Sequence, residues 1–227
     1  MARPTAHIGV VTIGQSPRPD MMAELRRVVG AGPEIVLRGA LDGLTRAEID
    51  ALVPVDGHDT LFTRLADGSA VIVSKTAVEA RAATLVEQFA ADGVDATLMF
   101  CTGRFPGLAG SPRVVFPSAV LDGLADALLP RGRLGILIPL PEQVGMAADK
   151  WGRPGREVVV EPLRPSPGDD GAAEAAGRLA AHAPDLVVMD CMGYTQATKE
   201  KVKSAFGTGR TILAVSAAAR AVEELLA

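Results

Sequence analysis

The chain has little aromatic content, 4% of 227 residues, with one Trp and one Tyr, and it holds only two cysteines and three histidines. With two distant Cys and His7, His58 and His182 scattered, the roughly four ligands of a structural zinc site are not supplied. No apolar run approaches the roughly 18 residues of a bilayer span, and Met1 to His7 lacks the apolar core of a signal peptide. No basic face stands out at a net charge of −4, so neither nucleic acid nor an anionic membrane is an expected partner. Gly-x-Gly-x-x-Gly, Gly-x-x-x-x-Gly-Lys, His-Glu-x-x-His and Gly-x-Ser-x-Gly are all missing. Nicotinamide, nucleotide, zincin and serine-hydrolase chemistry are therefore unsupported, and no cofactor is expected. The default compartment is the cytoplasm, where two cysteines are expected as thiols.

What remains is a globular composition, 48% hydrophobic and 22% charged, and a length that suits one large domain or two lobes of roughly 100 residues. The main feature is a repeat. Asp95-Ala-Thr-Leu-Met99-Phe-Cys101-Thr-Gly103 and Asp185-Leu-Val-Val-Met189-Asp-Cys191-Met-Gly193 share Asp, Met, Cys and Gly in register. Each cysteine stands where an apolar run gives way to a Gly-bearing loop.

Short apolar runs alternate with segments of helical period. Ile8–Ile13 reads as a first strand, ending at Gly14. A helix is expected to follow with Ser16 as N-cap and Pro17 at its first position, burying Met21, Leu25 and Val28. Glu34–Leu37 reads as a strand and Thr45–Leu52 as a short helix. Leu61–Leu65 and Ala70–Ser74 flank the turn Ala66-Asp67-Gly68-Ser69 and suit a hairpin. Val78, Ala82, Leu85, Val86 and Phe89 form a helical stripe, followed by strands Thr97–Phe100 and Val114–Phe116. In the second half, strands are expected at Leu134–Ile138, Glu157–Val160, Leu186–Met189 and Thr211–Val215, with a helix over Ala172–Ala181. Strands without polar alternation, joined by helices, indicate a parallel sheet covered on both faces. Such sheets bind ligands beyond the carboxyl ends of their strands, where both cysteines fall.

Two thiols presented to a shared cleft suit proton transfer at a carbon beside a carboxylate: one thiolate removes the proton and the opposite thiol returns one. Contacts of about 3–3.5 Å on both sides of that carbon predict sulfurs roughly 6–8 Å apart. The base needs activation, since an ordinary thiol has a pKa near 8.5. A helix N-capped by Thr195 and running to Phe206 would turn its positive end toward Cys191. Asp190 is expected to face away from the sulfur, because neighbouring strand side chains alternate. Two small buried apolar side chains, or a disulfide, stand as alternatives for the cysteines.

Around them, Gln15, Ser16 and Arg18 in the first loop are candidates for an anion site, against a capped helix with a solvated arginine. Thr102 is either a carboxylate ligand or an ordinary turn threonine, and Gly103 and Gly193 offer loop backbone. Tyr194 either donates to substrate or closes its loop. Ser74 and Lys75 end the hairpin strand, Lys75 being either a carboxylate ligand or a solvated lysine. Glu142, at the end of the strand equivalent to the first, is a weaker candidate.

Thr12-Ile-Gly-Gln-Ser-Pro-Arg18, Asp67-Gly68-Ser69 before Ser74-Lys75, Cys101-Thr102-Gly103 and Asp190-Cys191-Met192-Gly193-Tyr194 together resemble the AroM family over nearly the whole chain. That family looks like a branch of the aspartate/glutamate/hydantoin racemase superfamily. The resemblance implies an α/β fold of two similar lobes related by a pseudo-twofold, each with a mostly parallel sheet of about four strands flanked by helices. The lobes would be 1–116 with 216–227, and 117–215, the helix after Ser118 packing on the second lobe and the C-terminal helix on the first. It implies Cys101 and Cys191 as acid/base thiols and Thr102 as a carboxylate ligand. The loop Gln15-Ser16-Pro17-Arg18 and the hairpin near Asp67-Gly68 depart from the amino-acid racemases.

The expected activity is a cofactor-independent racemase or isomerase acting on a small carboxylate. The alternatives are a maleate-type isomerase, a malonate-type decarboxylase, and a binding or regulatory protein without turnover. Lobes of this kind often pair, so a homodimer is a further expectation.

Overall fold

A computed structural model of the chain describes residues 5–206 and 210–227. The reading that residues 1–4 belong to a segment without a leader's apolar core lies outside the described residues. Contacts divide the chain into two compact units, one of Met1–Ser118 with Ala218–Ala227, the other of Ala119–Ala217. Among the described residues no helix is long and apolar enough to cross a membrane.

The first unit runs β1 (His7–Thr12), α1 (Pro19–Val29), β2 (Glu34–Gly39), α2 (Arg46–Asp50), β3 (Thr60–Arg64), β4 (Ala70–Ser74), α3 (Lys75–Ala91), β5 (Ala96–Phe100) and β6 (Val114–Val115). Helix α4 (Pro117–Leu128) then leads into the second unit, with β7 (Gly132–Ile138), α5 (Val144–Trp151), β8 (Arg156–Pro162), α6 (Ala172–Ala180), β9 (Leu186–Met189), α7 (Gln196–Ser204) and β10 (Thr211–Leu213). Helix α8 (Ala214–Leu226) ends the chain.

Each unit holds a four-stranded sheet, ordered β2-β1-β5-β6 in the first and β8-β7-β9-β10 in the second. Every pairing in the two is parallel. The strand order is therefore the same in both halves. The central strands are buried along nearly their whole length, Ile8 to Thr12 in β1 and all of β5 and β9, which is the burial expected of strands covered on both faces. Glycine permits that cover to sit close. A Cβ on Gly9 would lie 2.6 Å from the Phe89 ring of α3, and one on Gly135 would lie 3.0 Å from Leu179 of α6.

The first residue of the repeat closes the amino end of each sheet. Asp95 accepts the His7 N–H at 2.8 Å and its own N–H reaches the His7 carbonyl at 2.9 Å. Asp185 does the same with Arg133, at 2.8 Å in both directions. Met99 and Met189 are fully buried. Asp and Met of the motif thus hold and fill the strand whose far end carries the cysteine.

The hairpin of β3 and β4 is antiparallel and forms a separate two-stranded sheet, as its turn signal predicts. Asp59 fastens its start to α3. The carboxylate accepts the Thr76 N–H at 2.9 Å, the Thr76 hydroxyl at 2.8 Å and the Val55 N–H at 3.2 Å. Burial alone would raise its pKa, but these donors and the Ser74 hydroxyl outweigh burial and hold it at about 2.

Three sequence expectations are corrected at element ends. Helix α1 starts at Pro19, not after Ser16, because Ser16 spends its N–H and hydroxyl on Asp42 instead of capping a helix. Its buried stripe is Met21, Leu25 and Val29, with Val28 only half-buried. The strand expected over Thr211–Val215 stops at Leu213, and that over Val114–Phe116 stops at Val115, since Ala214 and Pro117 already open helices.

Asp59→Asn is expected to destabilise the protein by about 2 kcal/mol at neutral pH, from a carboxylate held near 2 against its ordinary 3.8. Because the folded pKa is the lower one, this contribution is complete above about pH 4 and is lost as pH falls through about 2. The difference between the urea midpoints of parent and variant should be steady above about pH 4, shrink progressively as pH falls toward about 2, and vanish below that.

Candidate active site

Beyond β5 and β9 the two thiols repeat one local geometry. The Gly103 N–H points at the Cys101 sulfur at 3.3 Å, and the Gly193 N–H points at the Cys191 sulfur at 3.4 Å. A backbone N–H directed at sulfur favours the thiolate over the thiol. Neither cysteine is bridged, so the disulfide alternative does not hold. Their surroundings differ, however. Cys101 is 8% exposed and packs in the core of its unit with Met99, Phe105 and Leu108. Cys191 is half-buried, and α7 begins shortly after it with the expected cap. Thr195 accepts the Thr198 N–H and Thr198 accepts the Thr195 N–H, both at 3.1 Å. Cys101 is followed only by a short helical turn, Pro106–Leu108.

Asp190 is held by α5. Lys150 Nζ lies 3.1 and 2.9 Å from its two oxygens and Trp151 Nε1 donates at 2.8 Å. Tyr194 is fully buried and its hydroxyl donates to the Leu163 carbonyl at 2.5 Å. Burial first, then the negative charges of Cys191 and Asp190, push its phenol well above its ordinary range. Tyr194 therefore stays protonated, with its hydroxyl on the Leu163 carbonyl.

The first loop is already filled by the protein's own carboxylates. Ser16 N–H and hydroxyl each reach Asp42 at 2.7 Å, as does the Gly39 N–H. A Cβ on Gly39 would lie 2.5 Å from Asp42 Oδ1 and 2.6 Å from the Gly14 carbonyl, so this cradle needs glycine. Arg18 is buried and grips Asp20 with two bonds, at 2.9 and 2.6 Å. Burial raises the Asp20 pKa, but the Arg18 hydrogen bond and charge lower it further. Gln15 fastens loops together, donating to the Leu41 and Leu44 carbonyls at 3.4 Å and accepting the Ala66 N–H at 3.2 Å.

Ser74 caps α3 by accepting the Ala77 N–H, and Lys75 donates to the His58 carbonyl at 2.8 Å. Thr102 and Gly103 are half-buried beside Cys101, Gly193 is exposed beside Cys191, and Glu142 is exposed on a short turn. A cavity of about 390 Å³ lies in the first unit against Gly39, Asp42, Arg81 and Gln88, and neither cysteine lines it. Among the described residues no three His, Cys, Asp or Glu side chains gather into a metal-binding group. Asp42, Lys150 and Trp151 escaped the sequence reading. Their partners lie far along the chain, and the single Trp next to a Lys was the only local signal.

The fold is shared with enzymes of known structure. A glutamate racemase of Bacillus anthracis superposes with a TM-score of 0.63 at 14% identity, over 99% of this chain and 82% of that one. A maleate isomerase of Pseudomonas putida S16 gives 0.61 at 13% identity, covering 97% and 92%. An allantoin racemase of Pseudomonas fluorescens gives 0.60 at 19% identity, covering 97% and 90%. No curated protein sequence matches this chain. The family model described as AroM protein matches residues 8–226, and with the racemase-like fold this places the chain in the AroM family.

Proposed function

We propose that the protein is a cofactor-independent racemase or isomerase of a small carboxylate, with Cys101 and Cys191 as paired acid and base on one substrate carbon. The observation that carries this reading is the doubled contact of a glycine N–H on a strand-end sulfur. A thiolate stabilised in this way removes the proton beside the carboxylate from one face. The second thiol delivers a proton to the other face, so configuration inverts and no external acceptor is needed. The likeness in fold to a glutamate racemase, an allantoin racemase and a maleate isomerase supports the same class of chemistry.

The substrate carboxylate is assigned to Thr102 beside Cys101, while the Gly103 and Gly193 N–H groups serve the sulfurs. This shifts the anion role away from Gln15, Ser16 and Arg18, whose donors are bound to Leu41, Leu44, Asp42 and Asp20. The same observation weighs against a binding protein without turnover, since that reading puts most weight on an anion site at Arg18. A maleate-type isomerase, with one sulfur as nucleophile, and a malonate-type decarboxylase leave the second cysteine without its partner role.

The test is proton NMR of the protein with a panel of small amino acids and dicarboxylic acids in deuterated water. Exchange of the proton beside the carboxylate is expected with at least one compound. It should fall by about a hundredfold or more in both Cys101→Ser and Cys191→Ser, the loss typical of removing an acid or base. Full exchange in either single variant contradicts the paired mechanism. A compound that raises the melting temperature without exchanging supports binding alone.

A further inference from the structure

The two halves of the repeat differ in charge at the position before the cysteine. Phe100 precedes Cys101, whereas Asp190 precedes Cys191, and both are almost fully buried. The fold therefore accepts an apolar side chain at this strand end. A buried ion pair is often no more stabilising than apolar residues of the same volume, and breaking one by removing a partner is strongly destabilising. The Asp190 carboxylate nonetheless takes contacts at 3.1, 2.9 and 2.8 Å from the last two residues of α5. Lys150 is 12% exposed along its side chain, Trp151 not at all, and the Lys150 ammonium lies 5.0 Å from the centre of the indole ring.

The consequence falls on the neighbouring sulfur. The carboxylate takes contacts from Lys150 and Trp151, and the sulfur takes the Gly193 N–H. Two donor groups fix the carboxylate in place, and the ammonium compensates its charge. Without the ammonium a buried carboxylate would stand one residue from the sulfur with that much less compensation, and would oppose a thiolate there.

We propose that Lys150 and Trp151, acting through Asp190, are positioning residues that keep Cys191 in its reactive thiolate form and make it the resting base of the pair. This rests on the paired-thiol reading for its meaning in turnover, but the property itself belongs to Cys191 alone. Cys101, set in an apolar core and preceded by Phe100, is then the resting acid.

The experiment follows carboxamidomethylation of Cys191 by iodoacetamide in the full-length Cys101→Ser protein at neutral pH, read by mass spectrometry. The thiolate sulfur displaces iodide, so the rate reports the thiolate population. Lys150→Met should slow it by about tenfold, the effect of roughly one unit of thiol pKa, while Lys150→Arg should keep most of the rate. Adding Asp190→Asn to Lys150→Met should restore most of the loss, since the opposing charge is then gone; a merely structural role would not give that recovery. An unchanged rate in Lys150→Met, or a double variant no faster than it, overturns the proposal. Should Lys150→Met fail to fold, Trp151→Phe decides: it removes one donor and keeps the ion pair, and a rate equal to the parent's overturns the proposal. Alkylation needs no substrate, so these outcomes are independent of whether any compound exchanges in deuterated water.

Discussion

The contact on which the site depends is a weak one, a glycine N–H directed at the sulfur of a cysteine just past the end of a parallel strand. It occurs twice, at Cys101 and Cys191, with nearly the same distance. It requires a strand that stops at a fixed residue and a loop that turns back at once. Both conditions are set from the opposite end of the sheet. Asp95 and Asp185 lock the first rung against His7 and Arg133, and Met99 and Met189 seat the strand in the core. Register in a parallel ladder then fixes where the thiol emerges.

This division of labour explains why so much was legible in the sequence. The repeated Asp-x-x-x-Met-x-Cys-x-Gly is a complete local device, with its fastener, its core residue, its thiol and its N–H donor within nine positions. Strands of continuous apolar residues and the hairpin turn at Asp67-Gly68 are likewise local signals, as is the Thr195 cap, and each appears in the structure. The Asp190 carboxylate takes Lys150 and Trp151 of α5, two residues far from it along the chain.

What sequence could not show was decided by partners distant along the chain. Ser16 and Pro17 are a sound start for a helix by local preference, yet Asp42 takes the donors of Ser16 and the helix begins at Pro19. Arg18 looked like an open cation, but its guanidinium is buried against Asp20. The Tyr194 hydroxyl donates to the carbonyl of Leu163, a partner that no local pattern signals. In each case the polar group is buried or half-buried and is satisfied internally, since burial of an unpaired group is expensive. The same rule draws attention to Lys150 and Trp151, which jointly hold Asp190 at the position where the first unit has Phe100.

The central claim is that both sulfurs serve one substrate, and a short bifunctional thiol reagent tests it without knowledge of that substrate. Peptide mass spectrometry after a stoichiometric dose should find Cys101 joined to Cys191 by a single reagent molecule. Separate single-site adducts on the two cysteines, with no linked peptide, would contradict the account.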